Sequence, residues 1–98
     1  MEKLERIKRV IFAAIDEINL QLSEDKRLKK SMDTVLFGED SGLDSIGFVT
    51  FIVLTEQKIE NEFGVTITLT NEQAMSKRKS PFKDVGNLTE YISELLEG

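Results

Sequence analysis

The run Gly42-Leu43-Asp44-Ser45-Ile46-Gly47 sets one serine hydroxyl where an acidic loop meets an amphipathic stretch. Glycine is free to take a left-handed backbone angle ahead of a helix, and Asp44 carries the short acceptor that caps first-turn amides. Ser45 then falls in the first helical turn, with its oxygen expected to point outward. The chain has no histidine to remove that proton, so the serine is not expected to be a self-activated nucleophile. It has no cysteine either, which excludes disulfides, thiolate metal sites and thiol catalysis. The commonest general base and metal ligand is missing with histidine. A hydroxyl displayed in this way suits modification by another protein. The chain is read as not being an enzyme, with carboxylate-only catalysis the one formal exception.

The elements that position this serine follow from hydrophobic spacing. Residues 3 to 22 predict a first helix. Leu4, Ile7, Ile11, Ala14, Ile18 and Leu22 recur at three- and four-residue steps, and Val10 and Ile15 widen the stripe. Residues 23 to 43 lose that period, and Gly38 and Gly42 punctuate the end. A loop of about twenty residues in a compact domain is commonly functional or disordered; Leu36-Phe37 is its expected anchor. Residues 44 to 63 predict a second helix, stopped by Gly64 at the C′ position. Val65-Thr66-Ile67-Thr68-Leu69 alternates but has no strand to pair with, so an extended loop is expected. Thr70 and Gln73 form a capping box for a short third helix near residues 71 to 77, and Pro81 closes that stretch. Asn87 and Glu90 repeat the box, opening a last helix of about ten residues with Leu88, Ile92 and Leu95 inward. Phe82 and Val85 lead into it. The expected architecture is all-α: a small four-helix bundle, three long helices plus one short one, in a single domain spanning residues 1 to 98. No apolar run approaches the ~18 residues of a membrane span and no signal-peptide pattern opens the chain, so a cytoplasmic monomer is expected.

Charge is distributed unevenly. The net charge of −5 falls wholly on residues 39 to 62, where Glu39, Asp40, Asp44, Glu56, Glu60 and Glu62 face Lys58 alone. Elsewhere acids and bases cancel. A local negative field around a presented hydroxyl steers basic partners toward it. The second helix is apolar on two faces. Phe48, Phe51, Ile52, Thr55, Ile59 and Phe63 form the expected core stripe. Ile46, Val49 and Val53 form another, which is either a wider core face or a surface offered to a partner. The short clusters Lys26-Arg27-Leu28-Lys29-Lys30 and Lys77-Arg78-Lys79 have no interleaved aromatics in an acidic domain, so nucleic acid is not an expected partner. Glu39, Asp40 and Asp44 lack EF-hand spacing and read as solvated loop carboxylates, with no metal expected.

Taken with its flanks, the chain resembles the acyl carrier proteins, the phosphopantetheine-binding carrier family, over nearly its whole length. The likeness rests on the long first helix, the loop with Leu36-Phe37, and Gly42-Leu43-Asp44-Ser45-Ile46. A helix closing in Glu62-Phe63-Gly64-Val65 follows, and then Phe82 with Val85-Gly86-Asn87-Leu88-Thr89-Glu90-Tyr91-Ile92. The resemblance implies that Ser45 accepts 4′-phosphopantetheine from coenzyme A, transferred by a separate magnesium-dependent phosphopantetheinyl transferase. The prosthetic thiol would then carry acyl groups as thioesters to acyl-loading and acyl-processing enzymes of fatty-acid, lipid or polyketide-type biosynthesis. A chain without cysteine handles thioesters only on an imported thiol. By the same resemblance Gly42 flanks the site, and Asp44 is a cap and recognition residue beside the modified serine. Ile46, Val49 and Val53 match the family's apolar partner contacts, and Asp40, Asp44 and Glu56 would complement basic patches on partners. Carriers of this type can tuck an acyl chain between helices; Phe51, Ile52 and Ile59 would line such a space.

Three departures from the family pattern stand out. Gly47, Thr50 and Leu54 occupy a stretch where acids are usual, and no acid falls between Asp44 and Glu56. The second helix runs on by about four residues, roughly one turn. Lys77-Arg78-Lys79 is basic where acids are common. A dedicated pathway is therefore as open as the general fatty-acid one. Two other readings keep the same bundle: a carrier of aminoacyl or peptidyl units, and a carrier-like binding adaptor that never holds a group.

Overall fold

The computed structural model describes residues 2–36, 41–69 and 82–97. Within them lie three α-helices, α1 (Lys3–Asn19), α2 (Ser45–Phe63) and α3 (Val85–Glu97), and one 3₁₀ turn at Glu24–Lys26. The only extended pairing among the described residues is an isolated antiparallel bridge between Val35 and Asp84. The described chain is thus all-α, with three helices rather than the four expected. The short helix near 71–77 lies outside the described residues, as do Thr70, Gln73, Pro81, Phe37 and Lys77-Arg78-Lys79. Among the described residues no helix is long and apolar enough to cross a membrane.

Helix α1 is the central rod. Its three- and four-residue spacing turns Ile7, Val10, Ile11, Ala14, Ile15 and Ile18 inward, and it packs against both α2 and α3. Leu4, expected on the same stripe, is instead half open to solvent. It lies in the first turn, where it lines a surface recess with Met32 and Gly86.

The helix also stops at Asn19, three residues before the apolar period runs out. The reason is a side-chain clamp. Asn19 Nδ2 donates to the Leu28 carbonyl at 2.9 Å, and the Leu28 amide donates to Asn19 Oδ1 at 2.8 Å. The amides of Leu20, Gln21 and Leu22 turn to carbonyls three residues back, a tightened ending that leaves Leu20 exposed and Leu22 only partly packed.

The long connection between α1 and α2 is pinned at both ends of its polar stretch by Leu28 and Leu36, both buried. It then closes the start of α3. The Leu36 amide donates to the Lys83 carbonyl at 2.8 Å, the Val85 amide to Thr34 at 3.0 Å and the Gly86 amide to Met32 at 2.9 Å. The next amide, of Asn87, donates to Asp84 Oδ1 at 2.8 Å. The cap of α3 is therefore Asp84, and the helix begins at Val85 rather than at Asn87. Asn87 and Glu90 have the spacing of a capping box, but Asn87 sits in the third helical position. Its side-chain amide also donates to Asp84, at 3.0 Å. Three first-turn amides thus find acceptors in the protein, which removes the main cost of burying a helix start.

Asp84→Ala is expected to lower unfolding stability by about 1 kcal/mol, and Asn87→Ala by clearly less, in urea titrations. A larger loss at Asn87 would return the cap to that residue.

Candidate functional site: the loop 41–44 and the start of α2

The chain folds tightly on itself just ahead of α2. A Cβ on Gly42 would lie 2.5 Å from the Lys26 carbonyl oxygen, so glycine is required by close backbone approach. The left-handed angle expected at Gly42 is absent: among the described residues Gly64 alone has positive φ. Ser41 Oγ donates to the Leu36 carbonyl and accepts the Leu43 amide, both at 3.0 Å, and Leu43 is buried. The hydroxyl of Ser41 thereby builds the turn that delivers the chain to α2.

Asp44 is the N-cap. Its backbone is extended and its carboxylate accepts the Gly47 amide at 2.7 Å, while the Phe48 amide makes the first regular bond, 2.8 Å to the Asp44 carbonyl. Ser45 is the first helical residue; the direction of its side chain lies outside the described part of the structure. The Ile46 amide has no acceptor among the described residues. Among the described residues the first-turn amides of α2 thus find fewer acceptors than those of α3.

Below the first turn the helix is anchored on one side only. Phe48, Phe51, Ile52, Thr55 and Ile59 are buried, as the core stripe predicts, and the Thr55 hydroxyl is satisfied by the Phe51 carbonyl at 2.9 Å. Phe48 meets Phe82 edge-on at 5.7 Å between ring centroids, and Phe82 meets Tyr91 at 6.0 Å, so an aromatic chain ties the first turn of α2 to α3. The far end is held by α1. Arg6 stacks 4.4 Å over the half-buried Phe63 ring and reaches the Glu62 carbonyl at 3.1 Å, and Lys58 pairs with Glu17 at 3.2 Å. Gly64 ends the helix in the left-handed conformation, φ 67°, with its amide on the Glu60 carbonyl.

The opposite face is open. Ile46 is 79% exposed, Val49 53% and Val53 43%. The second apolar stripe is a surface and not a wider core face.

Two of the acids expected to complement basic patches on partners also hold backbone amides. Asp40 and Glu39 lie outside the described residues. The Asp44 carboxylate is engaged by the Gly47 amide. Glu56 Oε2 accepts the Leu69 amide at 2.7 Å and pins the segment 65–69 along α2, with Ile67 and Leu69 buried. Its first task is thus structural. The expectation of extended loop at 65–69 is met, since no strand forms there.

Basic residues remote in sequence take up the ground beside the site. Lys26, Arg27 and Lys29 line a recess of about 590 Å³ together with Leu28, Val35, Gly42, Leu43 and Asp44. The Arg27 guanidinium donates to the Asn19 carbonyl, whereas Lys26 and Lys29 form no ion pair among the described residues. Asp25, also in the recess, accepts the Ser23 hydroxyl at 2.7 Å, which holds its carboxyl below the usual range. Among the described residues no cluster of three or more metal-ligating side chains occurs. Sequence spacing gave no sign of this recess, because it forms where Gly42 approaches Lys26 and Leu28 of a distant loop segment.

Comparison with protein-family models, with curated proteins and with solved structures finds no match to this chain.

The Glu56 bond is directly testable. Glu56→Ala is expected to speed hydrogen exchange at the Leu69 amide by about tenfold or more, the scale of a lost charge-assisted bond. Unchanged protection at Leu69 would show that the carboxylate does not hold that segment in solution.

Proposed function

We propose that this protein is an acyl carrier protein, with Ser45 the attachment residue for 4′-phosphopantetheine. When attached, that group supplies the thiol on which acyl units travel as thioesters between enzymes. The observation that carries the reading is Ser45 at the first position of α2, followed on the same helix by the exposed stripe Ile46, Val49 and Val53. Val53 stands about 12 Å along the axis from Ser45, at 1.5 Å per residue. A partner enzyme gripping that stripe has residue 45 within reach of its own catalytic groups.

The chain's residues fit a phosphate-linked group at this point. A helix start favours negative charge, the Ile46 amide has no acceptor among the described residues, and Lys26 and Lys29 stand in the adjoining recess. Asp44 ends the loop and sets the first turn. Ser41, the loop serine nearest to residue 45 in sequence, has its hydroxyl committed to the turn. With neither histidine nor cysteine in the chain, deprotonating Ser45 falls to the transferase, as does positioning coenzyme A. The small apolar stripe suits brief contacts with successive enzymes, since interfaces of this kind are at the low end of buried area. Glu56 supports the segment beside the stripe, and Val53 and Glu60 border the same shallow recess.

Coexpression with a broad-specificity phosphopantetheinyl transferase is expected to add one phosphopantetheinyl group by intact mass, and Ser45→Ala to abolish the addition. A fully unmodified wild-type protein would favour the binding adaptor instead.

A further inference from the structure

The recess between residues 25–29, 34–35 and 41–44 lies on the loop side of the α2 start, and its lining includes the two residues that immediately precede Ser45. Its chemistry is mixed. Lys26 and Lys29 supply cations that form no ion pair among the described residues. Leu28, Leu43 and Val35 supply an apolar wall. The two acids in the lining, Asp25 and Asp44, accept the Ser23 hydroxyl and the Gly47 amide and stay charged, with Lys26 also drawing on Asp25; against Lys26, Arg27 and Lys29 they leave the lining cationic by one charge. The hydroxyls of Thr34 and Ser41 are committed to the Lys29 and Leu36 carbonyls, so the recess is held in shape by its own hydrogen bonds. Its position is equally constrained, because Gly42 permits the approach to the Lys26 carbonyl that forms one edge.

We propose that this recess seats the phosphopantetheine arm borne by Ser45, with Lys26 and Lys29 facing its phosphodiester and Leu28, Val35 and Leu43 facing its apolar portion. The inference rests on the carrier reading above and goes beyond it. It assigns the resting place of the arm to the loop side of the helix start, apart from the Ile46–Val49–Val53 face. Charge complementarity singles out the occupant: a monoanion chained at residue 45 meets two lysines at high effective concentration, with no translational entropy left to lose. A resting arm on this side leaves the apolar stripe clear for enzymes, and a partner with its own basic groups competes the phosphodiester away from the lysines.

The test compares amide NMR spectra of the unmodified protein and of protein loaded from coenzyme A, after intact mass has verified the loading. The expected result is a set of shifts at Lys26, Leu28, Lys29 and Val35 in addition to those next to Ser45. These distal shifts should shrink at least severalfold in the loaded double variant Lys26→Glu, Lys29→Glu, and shrink as salt is raised to about 0.5 M. Both lysines are exposed, so the variant retains the core. Shifts confined to residues 43–47 in loaded protein would overturn the seat alone and leave the carrier reading standing. Failure of loading by mass would overturn both.

Discussion

The bond from the Gly47 amide to the Asp44 carboxylate fixes where the loop ends and α2 starts, and the place of residue 45 follows from it. A cap of this kind acts only if the chain arrives extended and from the correct side. The two preceding residues provide that: Leu43 is buried, and Gly42 lies so close to the Lys26 carbonyl that no side chain fits. The loop is thereby nailed down immediately before the helix. Gly42, Leu43 and Asp44 together set how the chain enters α2.

The same helix serves two demands through its angular spacing. Phe48, Phe51, Ile52, Thr55 and Ile59 are buried on the side that packs on α1, and the aromatic chain through Phe82 and Tyr91 links the helix to α3. The side turned away keeps Ile46, Val49 and Val53 in solvent. Leaving three aliphatic side chains exposed forgoes burial free energy of about 1.5–3 kcal/mol for each if fully buried. An adjoining arrangement on the other flank sets lysines beside the helix start. The helix thus carries exposed aliphatic side chains along its length and borders, at its start, a recess lined by three basic and two acidic residues.

Much of this was legible from residue spacing. The two long rods, both stripes of α2 and the glycine stop at Gly64 follow from three- and four-residue periods and from left-handed capping. What periodicity could not supply was the partner of each loop residue. Leu22 continues the apolar period of α1, yet Asn19 ends the helix by clamping Leu28, nine residues away. Asn87 and Glu90 imitate a capping box, while Asp84 stands three residues ahead of Asn87 just as Asp44 stands ahead of Gly47. Local spacing fits both, and only the pairing of residues 32–36 with 83–86 decides between them. Charge was the least legible property. The acidic count over residues 39 to 62 says nothing of which amides Asp44 and Glu56 hold, nor that Lys26 and Lys29 arrive from a distant segment.

The central claim is that residue 45, and no other hydroxyl of the loop, is the tether. Cleavage after Lys30 and Lys58 releases one peptide containing Ser31, Ser41 and Ser45. Fragmentation of that peptide, prepared from protein purified out of the cells that make it, reads the attachment point directly. The account predicts a phosphopantetheinyl group on Ser45 with Ser31 and Ser41 bare. The group on Ser41, or a peptide bare at every serine, would contradict it.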